Sequence, residues 1–150
     1  MEKPFSFAKE KPLGKRKTKD ANLFERPENI EIVNNNILIA DDVKVSNDMF
    51  SKTRGLMFSR KLKKGQALLL VADEENKMET TIHMFFVFFP IDVVWLDSKL
   101  KVVDKRENVK SFTPLIVPKQ PAKYVLELPI KTGRHIYIGD VLEVNTRKWK

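Results

Sequence analysis

At 150 residues and 17.5 kDa the chain has the size of one domain plus tails, and a hydrophobic fraction of 42% is enough to build a core. It has no cysteine and two histidines, His83 and His135, which excludes disulfides, thiolate metal sites and a cysteine nucleophile and leaves little material for a multi-histidine metal centre or a Ser-His-Asp triad. A net charge of +8 points to polyanions as partners, nucleic acid or an anionic surface; the N-terminus lacks the apolar core of a secretory signal and no apolar run reaches the roughly 20 residues that span a bilayer, so a soluble cytoplasmic protein without a transmembrane segment is expected.

Residues 1–28 read as a basic tail. Apolar residues are sparse and aperiodic there, so the segment buries too little to offset its ordering entropy. Composition favours a flexible, solvated extension. The alternative is a nucleic-acid-binding arm, with Lys15, Arg16, Lys17 and Lys19 releasing counterions from phosphates. No aromatic is interleaved in that cluster, which speaks against base stacking.

From Asn29 the pattern changes to alternation. Ile30–Val33 and Ile37–Val45 read as the arms of a hairpin across Asn34, Asn35 and Asn36, since asparagine tolerates left-handed backbone. Ser46 is a good N-cap, and Met49, Phe50, Thr53, Leu56 and Met57 recur at helical spacing, which predicts one short helix over Asn47–Met57. Gly55 costs about 1 kcal/mol against alanine in such a helix, so it marks an end or a close approach. Arg60, Lys61, Lys63 and Lys64 form a basic loop, a solvated face by default and a phosphate contact as the alternative. Gln66–Ala72 reads as a buried strand.

The run from Ile82 to Asp97 holds Phe85, Phe86, Phe88, Phe89 and Trp95, with Asp92 as its charged residue before the closing Asp97. It has no helical period and is rich in aromatic and β-branched residues. Two strands buried on both faces, Thr81–Phe88 and Ile91–Asp97, are expected at the centre of the core. Val102 and Val103 predict an edge strand. Pro114, Pro118 and Pro121 make the following stretch an irregular loop. Tyr124–Leu128 is a strand, and two short strand pieces hinge at Gly139 and Asp140. The domain runs from Asn29 to Asn145, and residues 146–150 are a basic end carrying Trp149. The expected class is mainly β: a small barrel or rolled antiparallel sheet with one short helix, because sequential strands of this number must remove their edges.

Arg54 to Met57, Pro90 to Val93, Val102 to Asn108, Pro121 to Glu127 and Ile136 to Leu142, taken in order, resemble an uncharacterised family, domain of unknown function 192. Thr53-Arg54-Gly55-Leu56-Met57-Phe58 is similar to its Arg-Gly-Leu-Met signature, and Pro90-Ile91-Asp92-Val93 to its Pro-Leu-Asp-Ile strand. Val102-Val103 with Glu107-Asn108 is similar to its next strand. Pro121-Ala122-Lys123-Tyr124-Val125-Leu126-Glu127 resembles its Pro-Ala-x-Tyr-Val-Leu-Glu segment, and Ile136 to Leu142 its closing Ile-x-x-Gly-Asp-x-Leu. The resemblance covers about Val43 to Val144 and implies a mostly β domain with no secure activity. His83-Met84-Phe85-Phe86-Val87 departs from it, because many relatives carry Trp-Met-Lys-Asn-Thr there. A polar site that used those groups is missing or rebuilt in this chain.

Three residues are candidate ligand-binding groups. Asp92 lies among Ile91, Val93 and Val94, and a buried carboxylate needs a partner. Backbone N–H groups or an arginine such as Arg54 are the structural answer; a ligand is the functional one. Arg54 is a fork donor for carboxylate or phosphate. His83 enters the central run, and a lone histidine there is most often a hydrogen-bonded rim residue. No catalytic residue, metal or cofactor is assigned. The composite reading is a small non-catalytic binding or interaction module. The alternatives are a nucleic-acid-associated protein using its basic tail and loops, and a small hydrolase or transferase with Asp92 in its site.

Overall fold

The computed structural model describes residues 29–47 and 55–147, and strands dominate them. β1 (Asn29–Asn34) and β2 (Ile37–Ala40) form an antiparallel hairpin across Asn35 and Asn36. Their φ values of 48° and 66° are the left-handed pair that a two-residue turn requires. At Asp41 the chain leaves this sheet. The N–H groups of Asp41 and Asp42 both bond the Gly65 carbonyl, at 2.9 and 3.0 Å, and β3 (Asp42–Ser46) joins a second sheet. The expected arm Ile37–Val45 is therefore two strands in two sheets.

The remaining strands are β4 (Gln66–Asn76), β5 (Ile91–Leu96), β6 (Val102–Val109), β7 (Ala122–Pro129) and β8 (Glu143–Arg147). β1 is central in a three-stranded antiparallel sheet, ordered β2-β1-β8. The larger sheet is ordered β3-β4-β7-β5-β6. Its β3–β4 pair is parallel and the rest antiparallel. The β-rich class holds, and the rolled arrangement takes the form of two open sheets, not a closed barrel.

Side-chain alternation divides the larger sheet into two cores. On one face Tyr124, Leu126 and Leu128 of β7 join Val94 and Leu96 of β5, packing against Ile32 and Ile39 of the smaller sheet. On the other face lie Leu68, Leu70, Val93, Trp95 and Val125. Among the described residues no sheet covers that second face. Irregular segments do, through Leu56, Ile82, Met84, Val87, Phe89 and Ile116.

One of those segments is the expected strand Thr81–Phe88, which is not a strand. β5 already has β6 and β7 as neighbours, so no edge of it is left to pair. The segment instead crosses the sheet face, held by a lone pairing of Ile82 with Ile116 and by Met84 N–H on the Thr113 carbonyl at 2.8 Å. Met84, Val87 and Phe89 point inward; Phe85, Phe86 and Phe88 are exposed. Of the five aromatics expected in the core, Phe89 and Trp95 are buried there.

Residues 48–54 of the expected helix, the basic tail and Trp149 lie outside the described residues. The described end of that helix, Gly55–Met57, is a turn. The 3₁₀ turn Gly133–His135 is the one helical element among the described residues. Of the two expected strand pieces hinged at Gly139 and Asp140, the first is not a strand and runs into a turn with Gly139 at φ 98°, while the second pairs at Val141 with Lys101 and continues into β8. Asp140 Oδ2 accepts from Tyr137 N–H and from Asn34 Nδ2, at 2.9 and 2.7 Å, tying that turn to the β1–β2 hairpin.

Candidate functional site

β7 places one buried charged residue on the second face of the larger sheet. Tyr124, Leu126 and Leu128 point to the first core, so Val125 and Glu127 point to the second. Glu127 is in register with Leu68 on β4 and Val93 on β5, both apolar and buried. It is 5% exposed, and its Oε2 has no hydrogen-bond partner among the described residues. Burial alone pushes its carboxyl up to about 7, because the charged form loses its hydration and gains no counter-charge.

Above Glu127 is a cleft of about 360 Å³. Leu70, Ile91 and Val125 extend its floor, and Ile82, Met84 and Val87 of the crossing segment form the opposite wall. Asp73, Glu79, Thr80, Thr81 and His83 supply its polar lining. Trp95 Nε1–H donates to the Thr80 carbonyl at 2.7 Å, which pins the crossing segment to the sheet from inside. The threonine hydroxyls are used locally: Thr80 donates to the Asn76 carbonyl and Thr81 to the Lys77 carbonyl. Glu79 Oε2 accepts from Asp73 and Glu74 N–H, so Glu79 shapes the turn beside the cleft. His83 Nδ1 accepts from Phe85 N–H at 3.2 Å, which leaves the proton of the neutral ring on Nε2.

The two described candidates, His83 and Asp92, separate. His83 lines the cleft, while Arg54 lies outside the described residues, next to Gly55, which also lines the cleft. Asp92 is on the opposite face of the sheet and is not part of the lining. Its Oδ1 accepts from Asn108 N–H and its Oδ2 from Gly133 N–H, each at 2.8 Å. A side chain at 133 would put its Cβ 3.1 Å from Asp92 Oδ2, so glycine permits that approach. The backbone-capping reading of Asp92 is the one the described contacts match. Arg60, Lys61, Lys63 and Lys64 are exposed before β4, and Lys15, Arg16, Lys17 and Lys19 lie outside the described residues.

Two features escape the sequence reading. Glu127 is one; a charged residue between Leu126 and Leu128 raises the question that Asp92 raises, and the same reasoning finds it. The other is a row of exposed rings. Phe58 stacks on Phe86 at 5.0 Å, and Phe112 meets Phe86 and Phe88 edge-on at 6.2 and 5.3 Å. Phe58, Phe86 and Phe112 all have positive φ, between 57° and 62°, an uncommon setting for bulky residues. Among the described residues no three His, Asp or Glu gather as metal ligands, and no helix is long and apolar enough to cross a membrane.

Comparison with known proteins places the chain. The model of the DUF192 family, described as Uncharacterized ACR, matches residues 30–144, and the chain belongs to that family. It is 35% identical over 102 residues to the UPF0127 protein TK1120 of Thermococcus kodakarensis, covering 67% of this chain and 62% of that protein. It is 39% identical over 104 residues to a UPF0127 protein of Thermococcus sibiricus, covering 67% of this chain and 64% of that protein. The chain thus spans less than two thirds of the length of these two relatives. A crystal structure of a protein of unknown function from Novosphingobium aromaticivorans superposes with a TM-score of 0.67 at 16% identity. It covers 76% of this chain and 82% of that one, which is a likeness of fold.

Proposed function

We propose that this DUF192-family chain is a non-catalytic binding module that takes a small, mostly apolar ligand into the cleft and engages its polar group with Glu127. One observation carries the reading: Glu127, a buried carboxyl whose Oε2 has no hydrogen-bond partner among the described residues, lines the cleft. A buried polar group left unpaired costs about 1–3 kcal/mol, and core positions ordinarily shed such groups. Retention is accounted for if a ligand supplies the missing partner. A carboxyl near 7 also meets the first demand of acid–base chemistry. The second demand is a reacting group aimed at the same point, and the threonine hydroxyls are already spent on backbone carbonyls. Binding is therefore preferred over catalysis. A fragment screen read by methyl NMR tests the reading. Hits are expected to perturb Leu70, Ile82, Val87 and Val125 together; hits scattered over the surface with those methyls unmoved would contradict it.

The exposed rings favour a second reading. Phe58, Phe86, Phe88 and Phe112 adjoin an exposed loop with Arg60, Lys61, Lys63 and Lys64, a combination suited to single-stranded nucleic acid. Affinity for an oligouridine should then fall at least about tenfold from 50 to 200 mM salt, and again in Phe58→Ala. Salt dependence without a loss in Phe58→Ala would reduce this to general attraction by a basic protein.

A further inference from the structure

We infer that the face carrying Phe58, Phe86, Phe88 and Phe112 docks on an anionic lipid surface. The inference is independent of the cleft, and it sets a bilayer against nucleic acid as the partner of these rings. Three segments build the face: 55–65, 81–90 and 110–121. Backbone bonds tie them together. Phe58 N–H donates to the Phe86 carbonyl at 2.9 Å and Phe112 N–H to the Met84 carbonyl at 2.8 Å, and Ile82 and Ile116 exchange N–H bonds at 3.0 and 2.9 Å. Leu62 packs on the second core and holds the basic loop along the same face. Seven of the thirteen large apolar residues exposed in the described chain lie on these three segments, Leu115 and Val117 among them. Such a concentration is an interaction surface, not the usual scatter of single residues.

Charge selects the partner. None of the chain's 20 acidic residues falls in the three segments, while six exposed cations do: Arg60, Lys61, Lys63, Lys64, Lys110 and Lys119. Among the described residues none of the six is in an ion pair. Asp104 takes Lys119 N–H at 2.9 Å but is 1% exposed, and Asp41 and Asp42 adjoin Gly65, the end of the basic loop away from Phe58. A second copy of the chain would set these cations against themselves. A single strand of nucleic acid would match the charge but needs open ring faces for its bases. Phe58 and Phe86 cover one another, 5.0 Å apart and 20° from parallel, and Phe112 turns edge-on to Phe86 and Phe88. Leu115 and Val117, 67% and 44% exposed, have no ring to offer. A bilayer interface uses all of these groups. Its hydrocarbon takes ring edges and aliphatic side chains alike, and its anionic headgroups take the cations.

The test floats the full chain with vesicles of phosphatidylcholine containing phosphatidylserine and with pure phosphatidylcholine vesicles, and measures oligouridine binding in the same buffer. The serine-containing vesicles are expected to bind at least about tenfold more tightly than the pure ones. The double change Phe58→Asn, Phe88→Ser removes two rings that are 63% and 64% exposed, and asparagine suits the φ of 59° at position 58. It should cost at least about tenfold in vesicle affinity and less than about threefold for oligouridine. Leu115→Ser, on a different segment, should weaken vesicle binding by about threefold or more and leave oligouridine unmoved. Both variants keep every basic residue, so the losses report on the apolar face. No binding of the wild type to serine-containing vesicles would overturn the inference. Unchanged vesicle affinity in both variants would overturn it too, and leave only general attraction by a basic protein. A larger loss for oligouridine than for vesicles in the ring variant would assign the face to nucleic acid. Leu115→Ser decides the matter even if the ring variant fails to fold.

Discussion

Two buried carboxyl groups occupy consecutive positions across one pair of strands. Asp92 on β5 is in register with Leu128, and Glu127 on β7 with Val93. Their side chains point to opposite faces of the same sheet. Asp92 is 1% exposed and takes two backbone amides at 2.8 Å. Glu127 is 5% exposed, and its Oε2 takes none. Burial is therefore nearly the same, and satisfaction is what differs. A satisfied buried carboxylate works as a clamp, here holding the β6 end and the Gly133 turn to β5. An unsatisfied one beside a cavity is a cost that folding alone does not explain.

That contrast can be broken at either carboxyl. Asp92→Ala orphans two amides and should lose about 4 kcal/mol in urea unfolding; a loss under about 0.5 kcal/mol would remove the clamp from the account. The pH response should come next. Glu127 titrates near 7 when folded and near 4.5 as an isolated group, so between those values the native state holds a proton that the unfolded state has released. Stability should fall as pH rises through that window, by on the order of 3 kcal/mol. Subtracting the same curve for Glu127→Gln isolates the effect, and superimposable curves would deny it. Glu127→Leu removes the cost and should raise stability by about 1–2 kcal/mol at neutral pH, read as an increase in Tm. Gly133→Ala, which crowds Asp92 Oδ2, should cost about 1 kcal/mol; an unchanged midpoint would show that the turn relaxes freely. Phe86→Asn should stay within about 0.5 kcal/mol of wild type, since the ring is 46% exposed and asparagine suits its φ of 57°.

The same two residues show how far the chain could be read without coordinates. Asp92 is conspicuous in an apolar run, and a backbone cap is one of the roles its surroundings suggest. Glu127 lies in a run just as apolar, but as part of a recognisable Tyr-Val-Leu-Glu strand it passes as patterning. The asparagine turn, β4, β5 and β7 are legible because alternation and apolar runs are local signals. The placement of Phe85, Phe86 and Phe88 is not local. It depends on β5 being flanked by β6 and β7, which leaves the preceding aromatic stretch no edge to join. The parallel pairing of β3 with β4 is likewise a consequence of the chain changing sheets at Asp41, where Gly65 receives both amides.

The central claim is that Glu127 is held, buried and unpartnered, against a cavity that something else fills. A carbon-13 NMR titration of the Glu127 side-chain carboxyl in the ligand-free protein tests it most directly. The account predicts a midpoint near 7, moved by burial. A midpoint at the ordinary value of about 4.5 would mean that the carboxyl is hydrated or paired, and that the cleft holds no cost for a ligand to relieve.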